Sequence, residues 1–173
     1  MRAPPEGRKT LRMRGYDYSL SGPYFITICV EGRLPGLGHV DASGVVLTAA
    51  GTMVNQTWST VPTVQPEAVL DEWVVMPDHF HAVLWLNPGR GTSTLPGVVG
   101  RFKAYTSHLH RRIESADPRS PSTLRLWQRS FFDRVIRDEQ ELDAVRHYIR
   151  NNPRRYWTRR AIPRTEVPGL MTP

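Results

Sequence analysis

Asp71-Glu72-Trp73-Val74-Val75-Met76-Pro77-Asp78-His79-Phe80-His81-Ala82-Val83-Leu84-Trp85-Leu86-Asn87 is the segment around which the chain is organised. Two apolar runs, Trp73–Met76 and Phe80–Leu86, flank Pro77-Asp78. Short runs rich in Val and Trp, split by a turn pair, predict two neighbouring strands. His79 and His81 open the second. Residues two apart on a strand share a face, so the two imidazoles point the same way, roughly 7 Å apart along the strand. That is near enough for both to ligate one divalent ion. The alternative is two strand residues bonded to backbone or water. His108-Leu109-His110 repeats the spacing in a helix-patterned stretch, where residues two apart do not face one another. Only the first pair therefore qualifies as a ligand pair.

The 173 residues suit one domain with a real core, and 39% hydrophobic with 23% charged residues is ordinary for a soluble protein. No apolar run approaches the roughly 20 residues of a membrane span. The N-terminus has no apolar core behind its charges, so no secretory signal and no membrane partner is expected. A cytoplasmic location follows by default. Cys29 is the only cysteine, which excludes an internal disulfide and a multi-cysteine zinc site. Lys+Arg number 23 against 16 Asp+Glu, and lysine occurs only at Lys9 and Lys103. A basic excess made almost wholly of arginine, whose planar fork suits phosphate, points to nucleic acid. Nucleoid association on binding DNA would follow. The competing reading is a solvated surface encoded by an arginine-rich genome.

Residues 1–22 are polar and basic, an expected arm carrying Arg14 and Tyr16. Tyr24–Val30 reads as a strand rich in β-branched and aromatic residues. His39–Leu47 suggests a short strand or a hairpin, with Gly44 at a turn. Thr48 can cap a helix reaching about Thr60. A second helix, from Ser93 or Thr94 to about Glu114, carries the stripe Leu95, Val98, Val99, Phe102, Leu109 and Ile113. Leu124–Ile136 reads as extended. Asp138 and Glu141 make a capping-box pattern for a last helix with the stripe Leu142, Val145 and Ile149. Asn151-Asn152-Pro153 should close it, because the residue before proline avoids the α region. The expected organisation is an arm over 1–22, one domain over 23–157 and a flexible tail over 158–173.

Tyr148 and Asn152 lie four apart, so they share a helix face and flank the Leu142–Val145–Ile149 stripe. A phenol and a carboxamide could then enter one cleft. The alternative is a half-buried tyrosine and a helix-end asparagine.

Taken in order, Gly22-Pro23-Tyr24-Phe25-Ile26-Thr27, Met76-Pro77-Asp78-His79-Phe80-His81, Phe102-Lys103-Ala104-Tyr105, the run 126–138 and Tyr148-Ile149-Arg150-Asn151-Asn152-Pro153 form a specific set. The sequence resembles the HUH single-tyrosine endonucleases, and within them the REP-associated tyrosine transposases, from about Gly15 to Trp157. The resemblance implies an α+β, ferredoxin-like fold: an antiparallel sheet with helices packed on one face. It implies His79 and His81 as metal ligands completed by Asn152, with Tyr148 as nucleophile. Phe80 would pack on the other face of the sheet.

The chemistry agrees with those roles. A phenol titrates near pH 10 and needs activation to attack at neutral pH. Two imidazoles and a carboxamide leave open positions on Mg²⁺ or Mn²⁺ for phosphate oxygens and water. The implied activity is metal-dependent cleavage and strand transfer of single-stranded or hairpin DNA through a 5′-phosphotyrosine, by a monomer or homodimer. Alternatives are a replication-initiator or relaxase nickase with the same chemistry, and a domesticated DNA-binding protein without catalysis. Tyr105 is the rival nucleophile. Candidate DNA contacts are Arg14, Tyr16, Arg101, Lys103, Arg150, Arg154, Arg155, Tyr156 and Trp157, where aromatics interleaved with arginine could stack on bases and hold phosphates.

Overall fold

Alternation along the first strand, β1 (Gly22–Cys29), sends Tyr24, Ile26 and Ile28 to one side of a sheet and Phe25, Thr27 and Cys29 to the other. The computed structural model describes residues 15–87, 93–115 and 125–161, the last three by backbone alone. A small hairpin follows β1, formed by β2 (Gly38–Asp41) and β3 (Gly44–Leu47). Asp41 Oδ1 accepts from the amide and hydroxyl of Ser43 across its turn, and Gly44 adopts φ 125°, open only to glycine. Helix α1 (Ala49–Ser59) starts where expected, with Thr48 Oγ1 accepting from the Gly51 amide, and the one-turn α2 (Val61–Val64) succeeds it. Strands β4 (Ala68–Met76) and β5 (His79–Leu86) coincide with the two apolar runs flanking Pro77-Asp78. Then come α3 (Leu95–Ser115), β6 (Phe132–Val135) and α4 (Glu139–Ala161).

The four-stranded sheet has the order β4-β5-β1-β6, and every pairing is antiparallel. With β2–β3 set aside, the path β1-α1-β4-β5-α3-β6 is the split β-α-β pair of a ferredoxin-like fold. The expected α+β class and antiparallel sheet are what the structure has. On one face, α1 and α3 cover Tyr24, Ile26, Phe80, Ala82 and Leu84. Trp58 sits at that core's centre, with its ring 5.0 Å from Phe80 and 4.9 Å from Phe102.

The expectation of helices on one face holds for α1 and α3 but not for α4. Leu142, Val145 and Ile149 bury against Val83, Ile136, Phe25, Val74 and Trp85, on the opposite face. The reason lies in β5, where Val83 and Trp85 continue the histidine side as apolar residues, so that face needs cover as well as the Phe80, Ala82 and Leu84 side. Helix α4 also continues through Pro153 to Ala161, past the expected stop and past the 157/158 boundary. Proline removes one backbone donor and disfavours a helical predecessor. Contacts spanning the proline oppose that preference: the Arg155 guanidinium lies 5.3 Å from the Tyr148 ring centre, two turns back. Extended structure over Leu124–Ile136 shrinks to β6 and a single bridge between Val30 and Trp127. Arg14, most of the arm and residues 162–173 lie outside the described residues. Among those described, no helix is long and apolar enough to cross a membrane.

Candidate active site

His79 and His81 point from β5 toward the α4 face, 4.5 Å apart between ring centres and both buried. Each imidazole is oriented by a neighbour. His79 Nδ1 lies 2.7 Å from Asp78 Oδ1. A carboxylate only accepts, so Nδ1 carries the proton and Nε2 of the neutral ring keeps its lone pair. His79 in turn holds the Asp78 carboxyl below its ordinary range. His81 Nδ1 lies 2.8 Å from Thr27 Oγ1, its direct partner across the β1–β5 ladder. Burial first, and then His79 beside it, push the His81 imidazole down to about 3, so it is neutral at any ordinary pH. Phe25 stacks on His81 at 5.2 Å. Cys29 lies opposite His79 in the ladder, and burial raises its thiol pKa, leaving it a small apolar neighbour.

Helix α4 brings the Tyr148 ring to 5.4 Å from His81 and 6.0 Å from Phe25, edge-on to both. All three residues belong to one chain. Asn152, one turn on and on the same helix face, is buried, and its carboxamide has no hydrogen-bond partner among the described residues. A carboxamide at that position supplies an oxygen of the kind a hard divalent ion takes. Among the described residues no three His, Cys, Asp or Glu side chains gather. The two imidazoles, and the carboxamide of Asn152 on the Tyr148 flank of α4, are donor types that a divalent ion can take while keeping positions for water and phosphate.

Beside Tyr148 opens a cleft of about 760 Å³ between α4 and the β1–β6 edge. Phe25, Thr27, Phe132, Arg134 and Arg137 line it, and Phe132 is 45% exposed. The cleft's far wall is the α4 start. There Asp138 Oδ1 accepts from the Glu141 amide, and the Glu141 carboxylate accepts from the Arg137 amide and pairs with Arg134.

The other expected site residues are scattered. Tyr105 is exposed on α3, across the sheet from the histidines. His108 and His110 are on α3 too, so their spacing places them on no common face. Tyr16 packs into a cluster with Tyr18 and Tyr24, its hydroxyl 3.3 Å from that of Tyr24. Arg101 donates to Gln65 and Ser93. Lys103 Nζ donates to the carbonyls of Gln128, Arg129 and Ser130, pinning the segment before β6. Arg150 pairs with Glu72. Arg154 and Trp157 are exposed, and Tyr156 is half-buried. Thr27, Asp78 and Phe25 escaped sequence reasoning as site residues. Thr27 could have been found by counting strand alternation from Tyr24, whereas its pairing with His81 depends on register.

The model of the IS200-like transposases matches residues 63–152, which include both histidines, Tyr148 and Asn152. The chain belongs to the IS200-like transposase family. An uncharacterized protein of Haemophilus influenzae is 32% identical over 166 residues, covering 84% of this chain and 88% of that protein. A REP-associated tyrosine transposase solved with a REP hairpin superposes with a TM-score of 0.60 at 20% identity, over 84% of this chain and 74% of that one. That likeness establishes a shared fold. Family membership assigns this transposase a DNA-processing role.

Proposed function

We propose that this transposase cuts and rejoins single-stranded, hairpin-bearing DNA through a covalent bond to Tyr148. The carrying observation is the Tyr148 ring against His81 within one chain. In this reading the phenol oxygen attacks phosphorus, and the P–O3′ bond breaks. The phenolic proton passes to solvent, and the departing 3′ oxygen is protonated. The products are a 5′-phosphotyrosine and a 3′-hydroxyl. Reversal by another 3′-hydroxyl rejoins DNA without a nucleotide triphosphate, since the phosphodiester energy is retained.

His79, His81 and Asn152 would hold Mg²⁺ or Mn²⁺, which when bound polarises the scissile phosphate and accepts developing charge. Asp78 and Thr27 engage Nδ1 of the two rings, which would leave Nε2 of each to hold the ion. Phe132, Arg134 and Arg137 offer an aromatic face and guanidinium forks to the strand leaving Tyr148. Arg155, over the Tyr148 ring, and the exposed Arg154 and Trp157 on the same helix would add to that surface. The similar REP-associated tyrosine transposase, solved bound to a REP hairpin, makes hairpin DNA the first substrate to test.

The test is to incubate the protein with end-labelled hairpin DNA carrying a single-stranded flank, with and without Mg²⁺ or Mn²⁺. A denaturation-resistant adduct that needs the metal is expected. Tight binding with no adduct under any metal would replace this reading with a non-catalytic DNA-binding role. Thr27→Val gives a finer check. It keeps the shape of the side chain but removes the contact to His81, and should weaken Mn²⁺ binding about 10–100-fold by calorimetric titration.

A further inference from the structure

Between Leu70 and Trp73, three steps along β4 oppose two along β5, from Leu84 to Ala82. The extra residue is a β-bulge, and it carries Asp71 and Glu72. Both carboxylates bind α4. Asp71 accepts from Arg146 Nε at 2.9 Å and Nη2 at 2.7 Å, and from Trp85 Nε1 at 3.1 Å. Glu72 accepts from Arg150 Nε at 2.9 Å. Arg146, before the other contacts, holds the Asp71 carboxyl below its ordinary range, and Asp71 raises Arg146 in turn.

Helical geometry gives these pairs a mechanical meaning. With the Leu142–Val145–Ile149 stripe facing the sheet, Arg146 and Arg150 project along one flank of α4, while Tyr148 and Asn152 project along the other. The apolar stripe alone resists rolling poorly, because apolar contact has no direction. A fork bonded by two nitrogens to one carboxylate does have direction. A roll of about 20° on a helix of about 5–6 Å side-chain radius moves a side-chain tip by about 2 Å.

We infer that the Asp71–Glu72 bulge is a clamp that positions Tyr148 by fixing the roll of α4, and so keeps the phenol on its own chain's histidines. The inference rests on the proposed role of Tyr148 as nucleophile. Asp71 and Glu72 are positioning residues acting through Arg146 and Arg150, and they touch no reacting atom.

The test compares Asp71→Ala and Glu72→Ala with the wild type on hairpin DNA. Displacement of a reacting group by an ångström or more costs on the order of 100-fold. Adduct formation at saturating DNA should thus fall about 10–100-fold in Asp71→Ala and less in Glu72→Ala, with the half-saturating DNA concentration within about two-fold of wild type. A second readout is one that simple destabilisation would not raise. Tyr148→Phe mixed with a His79→Ala/His81→Ala chain should give no adduct while the clamp is intact. The same mixture should give some once Asp71→Ala and Glu72→Ala free α4 in both partners. Amide hydrogen exchange reads the clamp without any chemistry: α4 should lose protection in the variants while α3 does not. If Asp71→Ala does not fold, Glu72→Ala, at a half-exposed site, carries all three measurements. Unchanged α4 protection overturns the clamp whether or not an adduct forms. A wild-type adduct with unchanged variant rates overturns its role in positioning alone. Absence of the wild-type adduct overturns the nucleophile reading instead.

Discussion

Tyr148→Phe should eliminate the covalent DNA adduct and lower strand cleavage by at least about 1,000-fold, because deleting the proposed nucleophile would leave only binding and charge stabilisation. The substitution removes one oxygen and keeps the ring, so the edge-on contacts with Phe25 and His81 survive. Folding stability should change by less than about 1 kcal/mol, on the scale of a single hydrogen bond. Hairpin affinity should hold as well, since phosphate and base contacts elsewhere set it. The matching control is Tyr105→Phe, which should cleave like wild type. Tyr105 is exposed on α3, with the sheet between it and the histidines. Denaturing gels of end-labelled DNA read both variants at once. An adduct that persists in Tyr148→Phe and disappears in Tyr105→Phe would reverse the assignment.

The residues that make this contrast sharp were readable in the sequence to different depths. His79 and His81 share a face because β-strand alternation is local, and Pro77-Asp78 marked where their strand begins. Tyr148 and Asn152 share a face because helical periodicity is local too. That α4 would cross to the histidine side was written more faintly, in Val83 and Trp85, the apolar residues that follow the two histidines on their side of β5. Long-range register was not legible. Thr27 meets His81 only because β1 pairs with β5 in one particular offset. The adjacent charges Asp71 and Glu72 break strand alternation and so hinted at a bulge, but their partners on α4 are 75 and 78 residues away. Proline chemistry misled at Pro153, where the helix carries on through a residue whose local cost in a helix interior is about 3 kcal/mol.

Replacing either histidine should be nearly as damaging as replacing both. His79→Ala and His81→Ala each remove one of two imidazoles from a donor set that contains no third His, Cys, Asp or Glu among the described residues. The remaining ring and the Asn152 carboxamide would be too few to retain Mg²⁺ or Mn²⁺ at millimolar concentration, so the first substitution should already lose the proposed ion. Adduct formation should drop about 100–1,000-fold in each single variant, the range for removing one strong electrostatic stabiliser. The double variant should fall only a few-fold further, because groups acting as a unit are not additive. Chelation of the wild type should reach the same floor, and excess Mn²⁺ should restore the wild type but neither variant. Stability must be followed beside activity. His81 is buried, bonded to Thr27 and stacked on Phe25, so its removal costs about 2 kcal/mol or more through a cavity and an orphaned hydroxyl. His79 has only its Asp78 bond and the neighbouring ring to lose, so His79→Ala separates chemistry from folding. Calorimetric Mn²⁺ titration of folded His79→Ala decides the point. Wild-type metal affinity in that variant, or losses in the two singles that multiply in the double, would remove the shared ion and leave the histidines as structural neighbours of Tyr148.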